Sequence, residues 1–431
     1  MKVSSDLLAR DLQSVLGSEN VTGDPQIRSR HAVDGRQPAL VCFPEEPAQV
    51  AAALKVCSEA GAIVAPWGGG SATQIGNLTQ EIDVVIVLTR LTRLIEHDAA
   101  NLTVTAEAGM RLAALQELLA GRRQFLAFDT PYPERSTVGG AVAINLNGPR
   151  RISYGSVRDL VIGMKVALLT GEQIKAGGKV VKNVAGYDMC KLFVGSLGTL
   201  GVITEVTLRV APLPETAATL VASGTLPQGL RFVSDLRRSV LLPAAIVVLN
   251  SRVNDPAGPW KMAVWCEGFQ ESVERHLRDL TVMIKKVGLN SHILRDGAHR
   301  RLWTEACDLP LEANRTIFRA TVPLTAVPKL LETIEASGER ETSPHVVADL
   351  CAGSIWISLE ATAGGARWFS TWTALAREHH GHMVMLAAAP AEKEGIDAWG
   401  PPPRTLALMR EIKRQFDPKG LLNPGRFLGG I

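Results

Sequence analysis

The chain has 431 residues, 46% of them hydrophobic and 21% charged, and its 46 basic and 43 acidic residues leave a formal charge of +3. That length exceeds the usual single core, so two domains are expected, and the composition describes a folded globular protein rather than a disordered one. A charge this small argues against a nucleic-acid binder, and the short clusters Pro149-Arg150-Arg151 and Lys285-Lys286 read as solvated surface.

The first segment, MKVSSDLLARDLQSVLG, spaces its apolar residues as an amphipathic helix near 5–16. It lacks the continuous apolar region and cleavage site of a signal peptide, so a mature cytoplasmic terminus is expected. A strand near 39–43 leads into PEEPAQVAAALKVCSEAGA, which reads as a helix with Pro47 in its first turn and Gly61 at its end. Strands are expected near 62–66, 83–88, 102–106, 162–169 and 202–210, with a helix at 111–120. Alternating strands and helices exclude an all-β or bundle protein. The pair Pro212 and Pro214 closes the first domain. From 215 to 395, helical stretches at 271–287 and 367–380 alternate with strand-like runs at 244–249, 261–267, 316–322 and 354–360. These read as a second α+β domain, an antiparallel sheet with helices on one side. Residues 390–403, containing WGPPP, read as a loop, and TLALMREIKRQFD then forms a helix ahead of PKGLLNPGRF. No stretch reaches the roughly eighteen apolar residues of a membrane span.

Three glycine-rich segments punctuate the first domain. Residues 66–77 read PWGGGSATQIGN, between two strands; consecutive backbone N–H groups in such a loop can nest an anion such as a pyrophosphate. No Gly-Lys-Ser/Thr follows, and no GxGxxG opens a helix there. Residues 136–148 read STVGGAVAINLNG, where Gly139 and Gly140 permit close approach and Thr137, Asn145 and Asn147 offer neutral hydrogen-bonding groups. Residues 179–209 carry Gly186, Gly195, Gly198 and Gly201 directly before a β-branched strand, a loop-then-strand wall for a large flat ligand.

These three segments in this order, with the terminal DPKGLLNPGRF, resemble the PCMH-type FAD-binding oxidoreductases of the vanillyl-alcohol oxidase superfamily. The resemblance spans roughly residues 35–212 and the last twenty. Within it, YGSVRDLVIGMKVALLTGE and GGKVVKNVAGYDMCKLFVGSLGTLGVITEV are similar to the FAD-binding subunits of bacterial glycolate oxidases, KNVAGYD being the most specific phrase. The resemblance implies an α+β protein: a PCMH-type FAD-binding domain of two α/β subdomains at 1–212, an α+β cap domain with an antiparallel sheet at 213–400, and a C-terminal helix and tail at 401–431 that returns to the FAD domain. It implies FAD held by Pro66, Trp67, Gly68, Gly69, Gly70, Ser71, Ala72, Gly76 and Asn77; by Thr137, Val138, Gly139, Gly140, Ala143, Asn145 and Gly148; and by Gly198, Gly201, Val202 and Ile203.

The catalytic residues are not legible. Related catalytic subunits hold their substrate with arginine and a metal site built from a phrase such as HxGDGNxH, which this chain lacks. The cluster His379, His380 and His382 has no acidic residue at ligand spacing and reads as a helix end stopped by Gly381, with His382 opening a strand. His345 and Arg319 are isolated candidates in the second domain, and neither Asp34 nor Arg36 is given a role. Many relatives bind FAD covalently through a histidine in the first glycine loop; here no histidine lies between 32 and 96, so FAD is expected to be non-covalent, and no metal is expected. Leu197 stands where many catalytic relatives have glutamate. The six cysteines form no CxxC and read as reduced thiols, so an onward electron carrier is expected on another chain.

The resulting expectation is an FAD-binding subunit of a glycolate or 2-hydroxy-acid oxidase complex, cytoplasmic or peripheral at the inner membrane through its partners. Those partners would be a second FAD-containing catalytic subunit and an iron–sulfur subunit. A self-sufficient FAD-dependent 2-hydroxy-acid or alcohol dehydrogenase, and a structural subunit without flavin, stand as alternatives.

Overall fold

A computed structural model of the chain describes residues 5–178, 187–250, 260–338, 344–361 and 364–431. Lys182 to Gly186 of the KNVAGYD phrase lie outside the described residues. Two compact units emerge: Met1–Leu146 with Ser156–Pro212 and Pro401–Ile431, and Asn147–Gly155 with Leu213–Gly400.

The described residues of the first unit form a four-stranded sheet, a five-stranded sheet and a two-stranded pairing of Gln124–Phe125 with Ala211–Pro212. In the four-stranded one, Leu40–Cys42 and Val64–Trp67 run parallel to the central strand Val84–Val87, and Val21–Thr22 adds an antiparallel edge. Val84–Val87 is buried throughout, which is why it reads as an unbroken apolar run rather than an alternation. The helices Ser5–Leu16 and Pro47–Ala60 bury Leu8, Leu12, Val50 and Leu54 in the same core. Pro47–Ala60 starts at a Glu46/Gln49 capping box and stops at Gly61, which is left-handed with φ 71°.

The second sheet is antiparallel, with the order Leu94–Asp98, Thr103–Glu107, Val202–Arg209, Val161–Ala167, Gln173–Gly177. Its core takes in the helices Leu112–Ala120 and Val138–Ile144. The latter lies inside the glycine-rich segment 136–148, of which Val138–Ile144 is helical and capped by the Thr137 side chain. Its glycines are there for packing. Gly139 donates to Ala108 O at 2.8 Å, and a Cβ on Gly139 would stand 2.6 Å from the Cβ of Ala108.

The C-terminal helix Leu406–Phe416 packs Ile412 and Phe416 against that second core. Beyond it, Asn423 N donates to Val64 O and Val64 N to Leu421 O, both at 2.8 Å, so the tail pairs beside the strand that leads into the first glycine loop. Lys413 holds this arrangement. Its buried ammonium donates to Asp417 Oδ2 at 2.6 Å and to the carbonyls of Thr199 and Leu422 at 2.8 Å.

The second unit is one eight-stranded antiparallel sheet. Its spatial order is Asn290–Arg295, Thr216–Gly224, Trp260–Gly268, Ala245–Asn250, His345–Asp349, Ser354–Glu360, Arg315–Thr321, His382–Ala387. Alternate residues such as Leu220, Val264, Ile357, Phe318 and Met385 form a core with the helices Leu226–Arg237, Gln270–Lys286, Val327–Gly338 and Gly365–Glu378. The histidine cluster closes the last of these helices: His379 caps it and His382 opens a strand, but the left-handed residue is His380, φ 58°, rather than Gly381. The stretch 390–403 is also not wholly a loop, since Pro390–Lys393 is helical. Among the described residues no helix is long and apolar enough to cross a membrane.

Candidate cofactor site

Three elements of the first unit open onto one cleft: the loop after Val64–Trp67, the helix Val138–Ile144, and the loop before Val202–Arg209. The loop conformation follows from its glycines. At Gly69 a Cβ would overlap the carbonyl of Arg135, and at Gly198 the backbone is left-handed, φ 68°, with the Pro66 ring 2.5 Å from where a Cβ would lie. Hydrogen bonds from side chains and backbone then tie the elements to one another. Ser71 Oγ and Ser136 Oγ are 3.0 Å apart, Leu197 N donates to Ala143 O at 2.9 Å, and Asn423 Nδ2 donates to Leu197 O at 2.7 Å.

The donor pattern suits a large anionic ligand. Among the described residues the backbone N–H groups of Gly68, Gly69, Gly70, Ser71 and Ala72 find no acceptor within the protein, while Ile75 N turns back to Ala72 O. A run of unpartnered N–H groups is the ordinary cradle for a phosphate or pyrophosphate. Elsewhere the walls are apolar or neutral, including Trp67, Ala143, Leu197, Val202 and Ile203. The charged lining residue is Arg426, and its charge is met by Asp34.

Arg426 is the hub that sequence reasoning missed. Its guanidinium bonds Asp34 Oδ2, the carbonyl of Thr73, and the carbonyls of Asn77 and Ile75 at 2.7 and 2.6 Å. Asp34 Oδ2 also accepts from Thr79 N at 3.1 Å. Burial pulls the Arg426 guanidinium below its ordinary value while Asp34 opposes the shift. The tail thus fixes the backbone immediately after the unpartnered N–H run. The NPGRF phrase was visible in the sequence, but its arginine's partner, 392 residues earlier, was not.

Of the residues expected from the sequence, Pro66 to Ala72, Thr137, Gly139, Gly140, Ala143, Gly198, Gly201, Val202 and Ile203 line the cavity. Five others stand elsewhere. Val138 is fully buried in the second core, Asn145 is the left-handed cap ending its helix, and Gly148 belongs to the second unit. Gly76 packs against Arg426 O, and Asn77 bonds the tail through its N–H to Arg426 O at 3.0 Å and its amide to Phe427 O at 3.1 Å. Val33, Ile75, Leu88 and Leu197 line the cavity without having been singled out as ligands. His31, at the near end of the histidine-free stretch, packs edge-on against Phe43 and Trp67, with Nδ1 2.8 Å from Ile27 O. Burial pushes the thiols of Cys57 and Cys190 up to about 12 and about 11, so neither is a thiolate at neutral pH.

Comparison with known proteins agrees with this geometry. Residues 38–177 match the FAD binding domain family, and 399–427 match the C-terminal domain of FAD linked oxidases. The chain is 28% identical over 430 residues to glycolate oxidase subunit GlcD of Bacillus subtilis (strain 168), covering 90% of this chain and 88% of that one. To glycolate oxidase subunit GlcE of Escherichia coli (strain K12) it is 28% identical over 346 residues, 77% and 84% of the two chains. To D-lactate dehydrogenase of Archaeoglobus fulgidus it is 34% identical over 425 residues, 90% of each. Among solved structures, p-cresol methylhydroxylase with substrate bound has the same fold, with a TM-score of 0.75 at 15% identity over 98% of this chain and 96% of that one. The near full-length likeness at 34% identity, with the two family matches and a cavity whose donors fit the cofactor, places the chain in the FAD-linked oxidase family: it is an FAD-dependent oxidoreductase with the PCMH-type fold.

Proposed function

We propose that this chain is the FAD-binding subunit of a complex that oxidises glycolate or a related 2-hydroxy acid, holding FAD without a covalent bond and passing on the electrons released. The observation that carries the reading is the character of the cavity wall. Among the described residues that line it there is no histidine, cysteine or tyrosine to bond the isoalloxazine, and no carboxylate beside Leu197 to serve as a base. FAD supplies the redox chemistry: it takes two electrons from a C–H bond and can release them singly. What this chain supplies is the N–H cradle of Gly68–Ala72 for the pyrophosphate, a neutral apolar wall for the ring, and exclusion of water. The onward carrier and the second flavoprotein are then separate chains, and any membrane association passes through them.

A second reading, a self-sufficient dehydrogenase, is favoured by the near full-length similarity to a D-lactate dehydrogenase. One experiment separates the two. The chain is purified alone and with candidate partner subunits, FAD is measured by absorbance before and after acid precipitation, and dye reduction is followed with glycolate and D-lactate. Flavin released by acid, with turnover only in the complex, supports the proposal; turnover by the lone chain overturns it in favour of the second reading.

A further inference from the structure

The loop that leads into Val202–Arg209 turns on four residues, Ser196 to Thr199, and is closed by Thr199 N donating to Ser196 O at 3.0 Å. Both central residues are left-handed, Leu197 at φ 53° and Gly198 at φ 68°. Positive φ at both centres is the pattern of a type I′ turn, whose first central position favours asparagine, aspartate or glycine. Leucine is a poor occupant, because its Cβ crowds the backbone in the left-handed region. Such a residue persists there only where the surrounding structure over-determines it.

Three contacts hold the turn. Leu197 N donates to Ala143 O at 2.9 Å, Asn423 Nδ2 donates to Leu197 O at 2.7 Å, and Lys413 Nζ donates to Thr199 O at 2.8 Å. Two of these come from the C-terminal segment, 226 and 214 residues further along the chain. Asn423 is itself left-handed, φ 47°, and its backbone N–H is bonded to Val64 O at 2.8 Å, which fixes its amide over the turn. What this clamp keeps in place is an apolar group at the cleft. Leu197 is half-buried and lines the cleft, as Asn423 does, and its Cδ1 lies 3.5 Å from where a Cβ on Gly76 would stand. The leucine side chain thus spans from its own turn to the end of the first glycine loop.

We propose that Asn423 is a positioning residue for the flavin: it holds a strained turn so that the Leu197 side chain completes the apolar wall against which FAD binds. Local stability is given up there in exchange for contact with the cofactor. Through the same bond, FAD binding is tied to the docking of the C-terminal tail. The inference rests on FAD occupying the cleft, and not on the substrate or on partner chains.

The test is a double-variant cycle on the full chain, with FAD affinity read by quenching of flavin fluorescence and stability of the cofactor-free chain by urea unfolding. Asn423→Gly removes the donor but tolerates the left-handed backbone, and should weaken FAD about fivefold, the equivalent of one neutral hydrogen bond. Leu197→Asn places a favoured residue in the turn, so the cofactor-free chain should unfold at a higher urea concentration. The same variant should nevertheless bind FAD about tenfold more weakly, because the apolar contact is lost. With Leu197→Asn in place the turn no longer depends on the clamp, and adding Asn423→Gly should then weaken FAD by less than about twofold. Iodide should quench the bound flavin more readily in both single variants than in the wild type. An equal loss from Asn423→Gly in both backgrounds would mean that Asn423 merely anchors the tail, and would overturn its positioning role. Wild-type FAD affinity in Leu197→Asn, or a lowered stability of its cofactor-free chain, would overturn the strained wall. Should Asn423→Gly fail to fold, Asn423→Asp, which accepts the left-handed backbone but has no N–H to donate, carries the same comparison. Every readout is made on this chain alone, so a failure here leaves the proposed complex standing, and turnover by the lone chain would sink the complex without touching the clamp.

Discussion

Removing the Asp34 carboxylate isolates one interaction on which the cofactor cradle depends. The Asp34 and Arg426 side chains are only 8% and 5% exposed, so in Asp34→Ala the guanidinium stays buried with no counter-charge. Breaking a buried pair from one side costs about 3–5 kcal/mol. Arg426 retains the carbonyls of Thr73, Ile75 and Asn77, which places the expected loss at the lower end, about 3 kcal/mol. Asp34→Asn, which keeps an oxygen acceptor, should lose about 1.5 kcal/mol. Because the same guanidinium anchors the backbone next to the N–H run, FAD should bind Asp34→Ala about tenfold more weakly, equivalent to about 1.4 kcal/mol. The assay is urea unfolding of the cofactor-free chain, paired with FAD titration by quenching of flavin fluorescence. The double variant Asp34→Ala/Arg426→Met should recover part of the stability, since the uncompensated charge is then gone. An Asp34→Ala chain within about 0.5 kcal/mol of wild type, with FAD affinity intact, would refute the hub.

Three further outcomes are expected. Gly69→Ala should purify colourless, because its methyl group overlaps the Arg135 carbonyl and forces the cradle apart; the ratio of flavin to protein absorbance reports it. Lys413→Met should lose about 3–5 kcal/mol in urea unfolding, since it leaves the fully buried Asp417 with two backbone donors, Leu421 N and Leu422 N, but no cation. Asp349 has its carboxyl pushed up by burial from 3.8 to about 6, so the folded state holds that proton more firmly than the unfolded chain. Its contribution is therefore complete below about pH 3.8 and is lost as the pH rises through about 6. Asp349→Asn should flatten the stability profile across that window, and an unchanged slope between those pH values would count against the assignment.

The sequence was most legible where the signal is local. Apolar runs located Val64–Trp67, Val84–Val87 and Val202–Arg209 to within two residues, and a proline start with a glycine stop located Pro47–Ala60. It was least legible where tertiary contact overrides propensity. Gly139 and Gly140 showed that backbone could approach closely there, but that the approach is made by a helix pressed against Ala108 is a matter of packing. The strand Asn290–Arg295 was missed because an edge strand pairs on one side only and stays largely exposed, leaving little hydrophobic alternation to read. Thr216–Gly224 was missed for another reason, its small, weakly β-forming residues being recruited by neighbours on both sides.

By itself the sequence determined the order of helices and strands, because periodicity and glycine-rich turns act over a few residues and are written out along the chain, while the cofactor class came from the resemblance that the glycine-rich segments and the terminal phrase carry. The tertiary structure alone decided which side chains are satisfied and which are not. Arg426 finds Asp34 from the far end of the chain, whereas Arg319 Nε and Trp356 Nε1, on residues paired across a ladder, find no acceptor among the described residues. Whether a buried charge is neutralised depends on contacts between distant segments, and that is a property of packing that residue order does not carry.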